Sequence, residues 1–133
     1  NQQSKFRFRI FDRNPATGFP KDDLLTESIP ITIKKGETSV FLDLENYGIE
    51  MPENGFFIAF EKLFIPFNEY GEDESNDETG KFYSPVMGMT KSREYKKVIR
   101  NYIYAKGKWS NLGMLNKGIL KGYVPAISVT LSN

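Results

Sequence analysis

Residues 5–12, KFRFRIFD, decide the fold class. Phe6, Phe8 and Ile10 occupy alternate positions, with Lys5, Arg7 and Arg9 between them. Successive side chains of a strand point to opposite faces, so this stretch reads as a half-buried strand with a charged outer face. Upstream, Asn1-Gln2-Gln3-Ser4 is polar and lacks the charged and apolar regions of a signal peptide. With no initiator Met, the chain is expected to be a processed or excised piece.

Downstream, the residues from Asp12 to Asp23 are rich in turn signals: Asn14-Pro15, Thr17-Gly18 and Pro20. Ile29, Ile31 and Ile33 then alternate. Pro30 between them cannot donate a ladder hydrogen bond, which predicts an edge strand or a bulge. Lys34-Lys35-Gly36-Glu37 reads as a hairpin turn into a strand carrying Val40, Leu42 and Leu44. Asn46 to Gly55 is a loop. FFIAFEKLFI (56–65) is the most apolar run and predicts a central strand.

The run at 68–79 is polar and acidic, with six carboxylates between Glu69 and Glu78, and reads as a loop. Residues 102–109, YIYAKGKW, predict a strand broken by a Lys106-Gly107 turn. Ile127, Val129 and Leu131 alternate in a closing strand from Tyr123 to Leu131. About seven or eight short strands with no amphipathic helix argue an all-β, antiparallel β-sandwich. No internal repeat or linker divides residues 1–133, which read as a single domain.

Composition excludes much chemistry. The chain has 133 residues, no His and no Cys, which removes a Ser-His-Asp triad, a Cys-His dyad and a thiolate or imidazole metal centre. Eighteen basic against seventeen acidic residues leave a net charge of +1, giving no global field for nucleic acid. No run approaches the roughly 20 apolar residues of a transmembrane segment.

Two stretches together carry a family resemblance. FRFRIFDRNPATGFPKDDLLTESI and SVFLDLENYGIEMPENGFFIAFEKL, with the late Trp109 and the final alternating strand, resemble the C-terminal β-sandwich of exported Bacteroidetes proteins. In those proteins the sandwich follows a carboxypeptidase-regulatory-like (transthyretin-like) domain. The chain is similar, more distantly, to jelly-roll modules of bacterial surface and carbohydrate-binding proteins. The likeness covers residues 5–65 best, through Asp43, Leu44, Tyr47, Pro52, Phe56, Phe57 and Glu61. It implies a jelly-roll-like sandwich within a longer secreted protein, in the periplasm or at the cell surface. It carries over no catalytic residue.

Three constellations remain. Asp73, Asp77 and Glu78, in the acidic run, offer the hard oxygen ligands that calcium takes, without EF-hand spacing; the alternative is a solvated loop, which is the reading preferred. Lys91, Arg93, Lys96, Lys97 and Arg100 form a basic stretch. It reads as a solvated loop or a guarded strand edge, and no nucleic acid is expected as a partner. Tyr83, Tyr95, Tyr102, Tyr104 and Trp109 are candidate ligand-binding aromatics for a sugar face. Tyr102 and Tyr104 lie two apart and so share one face of a strand. Against this, aromatics also anchor cores and corners, and hairpin or core packing is the favoured account of the one Trp.

A carboxylate pair such as Asp43 and Glu61 would be the only common hydrolytic machinery left, yet both sit within strand patterns. No Ser-x-x-Lys, Walker or dinucleotide fingerprint is present. The expectation is therefore a non-enzymatic module for noncovalent recognition of a glycan or a protein partner. Its rival is a structural or assembly module with no small ligand.

Overall fold

The computed structural model describes residues 3–72, 80–91, 101–111 and 123–131. The chain divides into two compact units, Asn1–Val86 and Met87–Asn133. Among the described residues the fold is all-β and every ladder is antiparallel. Among these residues helical structure is limited to 3₁₀ turns at Glu45–Tyr47 and Pro66–Asn68.

The first unit is built on β1 (Gln3–Arg13), the strand that contains KFRFRIFD. On one side it pairs with β4 (Phe56–Lys62), from Phe6 opposite Lys62 to Asp12 opposite Phe56. Its other side is shared by β3 (Ile29–Lys34), along the first half, and β2 (Pro20–Asp23), at the far end. The register sorts the side chains by face. Phe8 lies between Phe60 and Ile29, and Phe6 between Lys62 and Ile31. Ile10 lies opposite Ile58, and the Phe6 and Phe60 rings stack at 4.8 Å. Ile10 (1 % exposed) and Ile29 (5 %) form the buried core of this face.

Two expectations change here. The 56–65 run supplies β4, but among the described residues β4 pairs only with β1; the charged-and-apolar strand, not the most apolar one, is central. The turn-rich segment also yields a short strand. Asn14 explains this: its carbonyl accepts from Gly18 N at 2.7 Å, and its side chain accepts from Ala16 N at 2.9 Å. Gly18 takes φ 77°, the left-handed conformation that glycine adopts without steric cost. The chain therefore reverses tightly and Pro20 enters opposite Arg13, at the first position of a strand, where no donor is needed. Pro30 lies on β3, which among the described residues is an edge strand, one of the two outcomes predicted.

Val40, Leu42 and Leu44 do not form the strand their alternation predicts; residues 37–44 are assigned none. The Lys34–Glu37 turn closes, with Glu37 N donating to Lys34 O at 3.1 Å. Both sides of β1 are already taken, however, and Asp43 Oδ1 accepts from Glu45 N to start the 3₁₀ turn. A local side-chain bond competes there with a ladder. Val40 is left 42 % and Phe41 90 % exposed.

The acidic run is likewise not loop throughout: Glu69–Glu72 forms β5, paired with β6 (Lys81–Tyr83). Lys81 Nζ donates to Glu69 Oε2 at 3.1 Å. Between β4 and β5, Asn68 is 1 % exposed. Its Oδ1 accepts from Lys5 N at 2.7 Å, while its Nδ2 donates to Lys5 O at 2.7 Å and Leu63 O at 2.8 Å.

In the second unit, β7 (Met89–Lys91) pairs with β10 (Tyr123–Pro125), and β8 (Tyr102–Ala105) with β9 (Lys108–Asn111). The closing strand is shorter than predicted. Ala126 N still donates to Gly88 O at 2.8 Å, but Ile127 N turns back onto Pro125 O at 2.8 Å and the ladder stops.

Candidate functional site

The β8–β9 hairpin carries three of the aromatic candidates, Tyr102, Tyr104 and Trp109. Lys106 and Gly107 form its two-residue loop with φ of 51° and 79°. Positive φ at both central residues gives the turn whose twist matches that of the flanking strands, the commonest way to close a hairpin. That turn fixes the register, with Tyr104 opposite Trp109 and Tyr102 opposite Asn111. Directly opposed residues share a face, as do residues two apart along one strand. Tyr102, Tyr104, Trp109 and Asn111 therefore occupy one face of the hairpin. Ile103, Ala105, Lys108 and Ser110 occupy the other.

The Tyr104 and Trp109 rings meet edge to face, centroids 5.1 Å apart and planes at 60°. Tyr104 is 58 % exposed, while Trp109, Tyr102 and Asn111 are half-buried. Such a pair is worth about 0.5–1.5 kcal/mol beyond its buried area, so each ring holds the other in place. The result is a braced aromatic surface with a carboxamide on the same face. It offers apolar contact from the exposed ring of Tyr104.

The other predicted residues are distributed differently. Tyr83 lies on β6 in the first unit, half-buried, with its ring 5.3 Å from that of Phe64 in an edge contact. Tyr95 lies outside the described residues, as do Asp73, Asp77 and Glu78 of the calcium expectation. Among the described residues no group of three or more carboxylates gathers in a way that could hold a metal ion. No described helix is long and apolar enough to cross a membrane.

Asp43 and Glu61, the carboxylates weighed for hydrolysis, have separate engagements. Asp43 caps the Glu45 N–H at 3.0 Å. Glu61 belongs to a row on the charged face of the first unit's sheet. Arg7 Nη1 donates to its two carboxylate oxygens at 3.0 and 3.1 Å, and Arg7 Nε donates to Ser28 Oγ at 2.7 Å. Arg9 Nη1 reaches Glu61 Oε2 at 3.3 Å, and Arg9 Nε reaches Asp23 Oδ2 at 2.8 Å. Partial burial works against the charge on Arg9. The bonds and the attraction of Asp23 and Glu61 outweigh it, so its pKa is raised. With side chains about one-third exposed, these pairs contribute modestly and lose strength in salt.

Sequence reading missed two parts of these arrangements. Asn111 was recoverable: centring the turn between Lys106 and Gly107 pairs position 104 with 109 and 102 with 111. The Arg7–Glu61–Arg9–Asp23 row had only half a signal, the alternation of Arg7 and Arg9, because its acids come from other strands. No protein-family model, curated protein or solved structure matches the chain.

Proposed function

We propose that this chain is a non-catalytic, exported β-sandwich module of jelly-roll type that binds carbohydrate through the Tyr102–Tyr104–Trp109 face of the β8–β9 hairpin. One observation carries the reading: Tyr104 and Trp109 are direct cross-strand partners in ring contact, with Tyr104 more than half exposed. The C–H face of a pyranose is apolar and its rim is hydroxylated. A braced pair of rings with one face exposed supports contact with the apolar C–H face. The periplasmic or cell-surface setting follows from the resemblance of residues 5–65 to exported Bacteroidetes sandwiches.

The affinity expected of such an open face is low. At about −0.3 kcal/mol per non-hydrogen atom, the roughly twelve atoms of one hexose give about −4 kcal/mol, a dissociation constant near 1 mM. Multivalent display is therefore the proper screen, since linked sites raise avidity by about 10²–10⁴. A glycan array should show a defined set of sugars bound by the wild type. Tyr104→Ala and Trp109→Ala should each lose at least about tenfold while keeping the wild-type circular dichroism. Trp109 is the chain's one Trp, so its fluorescence should shift on adding the sugar the array selects. Absence of any bound glycan, or full binding by both variants, removes the proposal.

A further inference from the structure

We propose that Asn54 is a self-modification site, converted to aspartyl and isoaspartyl products by attack of the Gly55 amide nitrogen on the Asn54 carboxamide. The site belongs to the first unit and rests on no part of the glycan reading. Of the chain's asparagines only Asn54 is followed by glycine. Glycine has no side chain to crowd its own nitrogen or to restrict the backbone rotation that brings it to the carboxamide.

The turn that leads into β4 both requires this pair and leaves it open. Glu53 and Asn54 are its central residues, and both are exposed. Gly55 takes φ 91°, a conformation that favours glycine, so the turn itself sets glycine after Asn54. Gly55 N donates to Pro52 O at 3.2 Å, the long end of the range for such a bond. The Asn54 side chain has no hydrogen-bond partner among the described residues. Opening one long bond in an exposed turn frees the nitrogen, and openings of this kind lie at the low end of a protein's local stabilities.

The other described asparagines are protected. Asn14 precedes Pro15, whose nitrogen carries no hydrogen. Asn46, Asn101 and Asn111 precede Tyr47, Tyr102 and Leu112, whose side chains crowd the nitrogen that would attack. Asn68 is 1 % exposed, with its carboxamide bonded to Lys5 and Leu63.

The Gly55 nitrogen, having lost its proton to base, bonds to Asn54 Cγ. The Cγ–Nδ2 bond breaks, ammonia leaves, and a cyclic imide closes. Water then adds at one of the two imide carbonyls and breaks its bond to the ring nitrogen. Opening at Cγ gives aspartate; opening at the backbone carbonyl gives isoaspartate, with the main chain running through the former side chain. Either product adds one negative charge and takes the formal net charge from +1 to zero.

The test incubates the folded 133-residue chain in mildly alkaline and mildly acidic buffer and follows each asparagine by peptide mapping with mass spectrometry. Asn54 should convert at least about tenfold faster than Asn68, a ratio equal to about 1.4 kcal/mol of barrier. Conversion should be faster in alkali, which supplies the deprotonated amide. A protein isoaspartyl methyltransferase, used as a probe, should label the aged chain at residue 54, and isoelectric focusing should show a new acidic band. Asn54→Gln, whose longer side chain closes a larger ring more slowly, should lose that label and band while its circular dichroism stays that of the wild type. An Asn54 that converts no faster than Asn68, or an Asn54→Gln chain that gains as much label and acidic band as the wild type, would overturn the proposal.

Discussion

Asn68 shows how much one side chain holds in place. It is almost fully buried and satisfies three main-chain groups: the Lys5 N–H, the Lys5 carbonyl and the Leu63 carbonyl. Leucine has nearly the same shape and can satisfy none of them. A buried polar group left without a partner costs about 1–3 kcal/mol, and some of these groups recover water at the sheet edge. Asn68→Leu should therefore destabilise the first unit by about 2–4 kcal/mol, read as a lower urea midpoint by circular dichroism. A loss below about 1 kcal/mol would mean that the three bonds are replaceable. This role was illegible in the sequence, where Asn68 opens a polar run indistinguishable from loop. Its partners are a strand start 63 residues away and the carbonyl of Leu63. Ile10 is the opposite case: its place in an alternating strand predicts the buried side chain that the structure has.

At the scale of the element, the β8–β9 hairpin was the most legible feature of the chain. The Lys106–Gly107 turn and the two strands are where the pattern puts them, because a two-residue loop sets its own register. Gly107 carries φ 79°, and a Cβ there would meet nothing within 4 Å, so the constraint is conformational rather than spatial. A β-branched residue in that conformation costs about 1–2 kcal/mol. Gly107→Val should loosen the hairpin and weaken the proposed glycan binding several-fold while leaving all three aromatic residues in place. The measurements are amide exchange at residues 102–111 and the sugar titration. Loosened amides with undiminished binding would detach the proposed sugar site from the hairpin. Less legible were the stretches at 37–44 and 127–131. They alternate as well as β3 does, but the first runs into a 3₁₀ turn and neither is assigned a strand.

For the whole molecule, the absent histidine has a measurable consequence. Histidine is the only side chain whose unperturbed titration falls between about pH 5 and 8, and this chain has none. Among the described residues the shifted group is Arg9, whose pKa is raised in the folded state. A raised value means that its stabilising contribution is fully present below the unfolded pKa and fades only as pH climbs through the folded one. For a guanidinium that lies far above neutrality. Stability should then stay flat between about pH 6 and 8, within roughly 1 kcal/mol or a few degrees of melting temperature. Differential scanning calorimetry across that range checks this; a step of several degrees would place an unexpected titrating group in the core.

What the sequence determined by itself was everything of short range. Period-two alternation assigned the all-β class and the faces of β1, and turn chemistry assigned the hairpin at 106–107. Both are properties of a few adjacent residues. Only the tertiary structure decided which alternating stretches obtain partners, and hence that β1 rather than β4 is central. It also decided that Glu61 serves two arginines and that Asn68 ties Lys5 to Leu63. The reason is physical. Strand propensity is local, but a ladder needs a free edge, and edges are allotted by contacts between residues far apart in the chain.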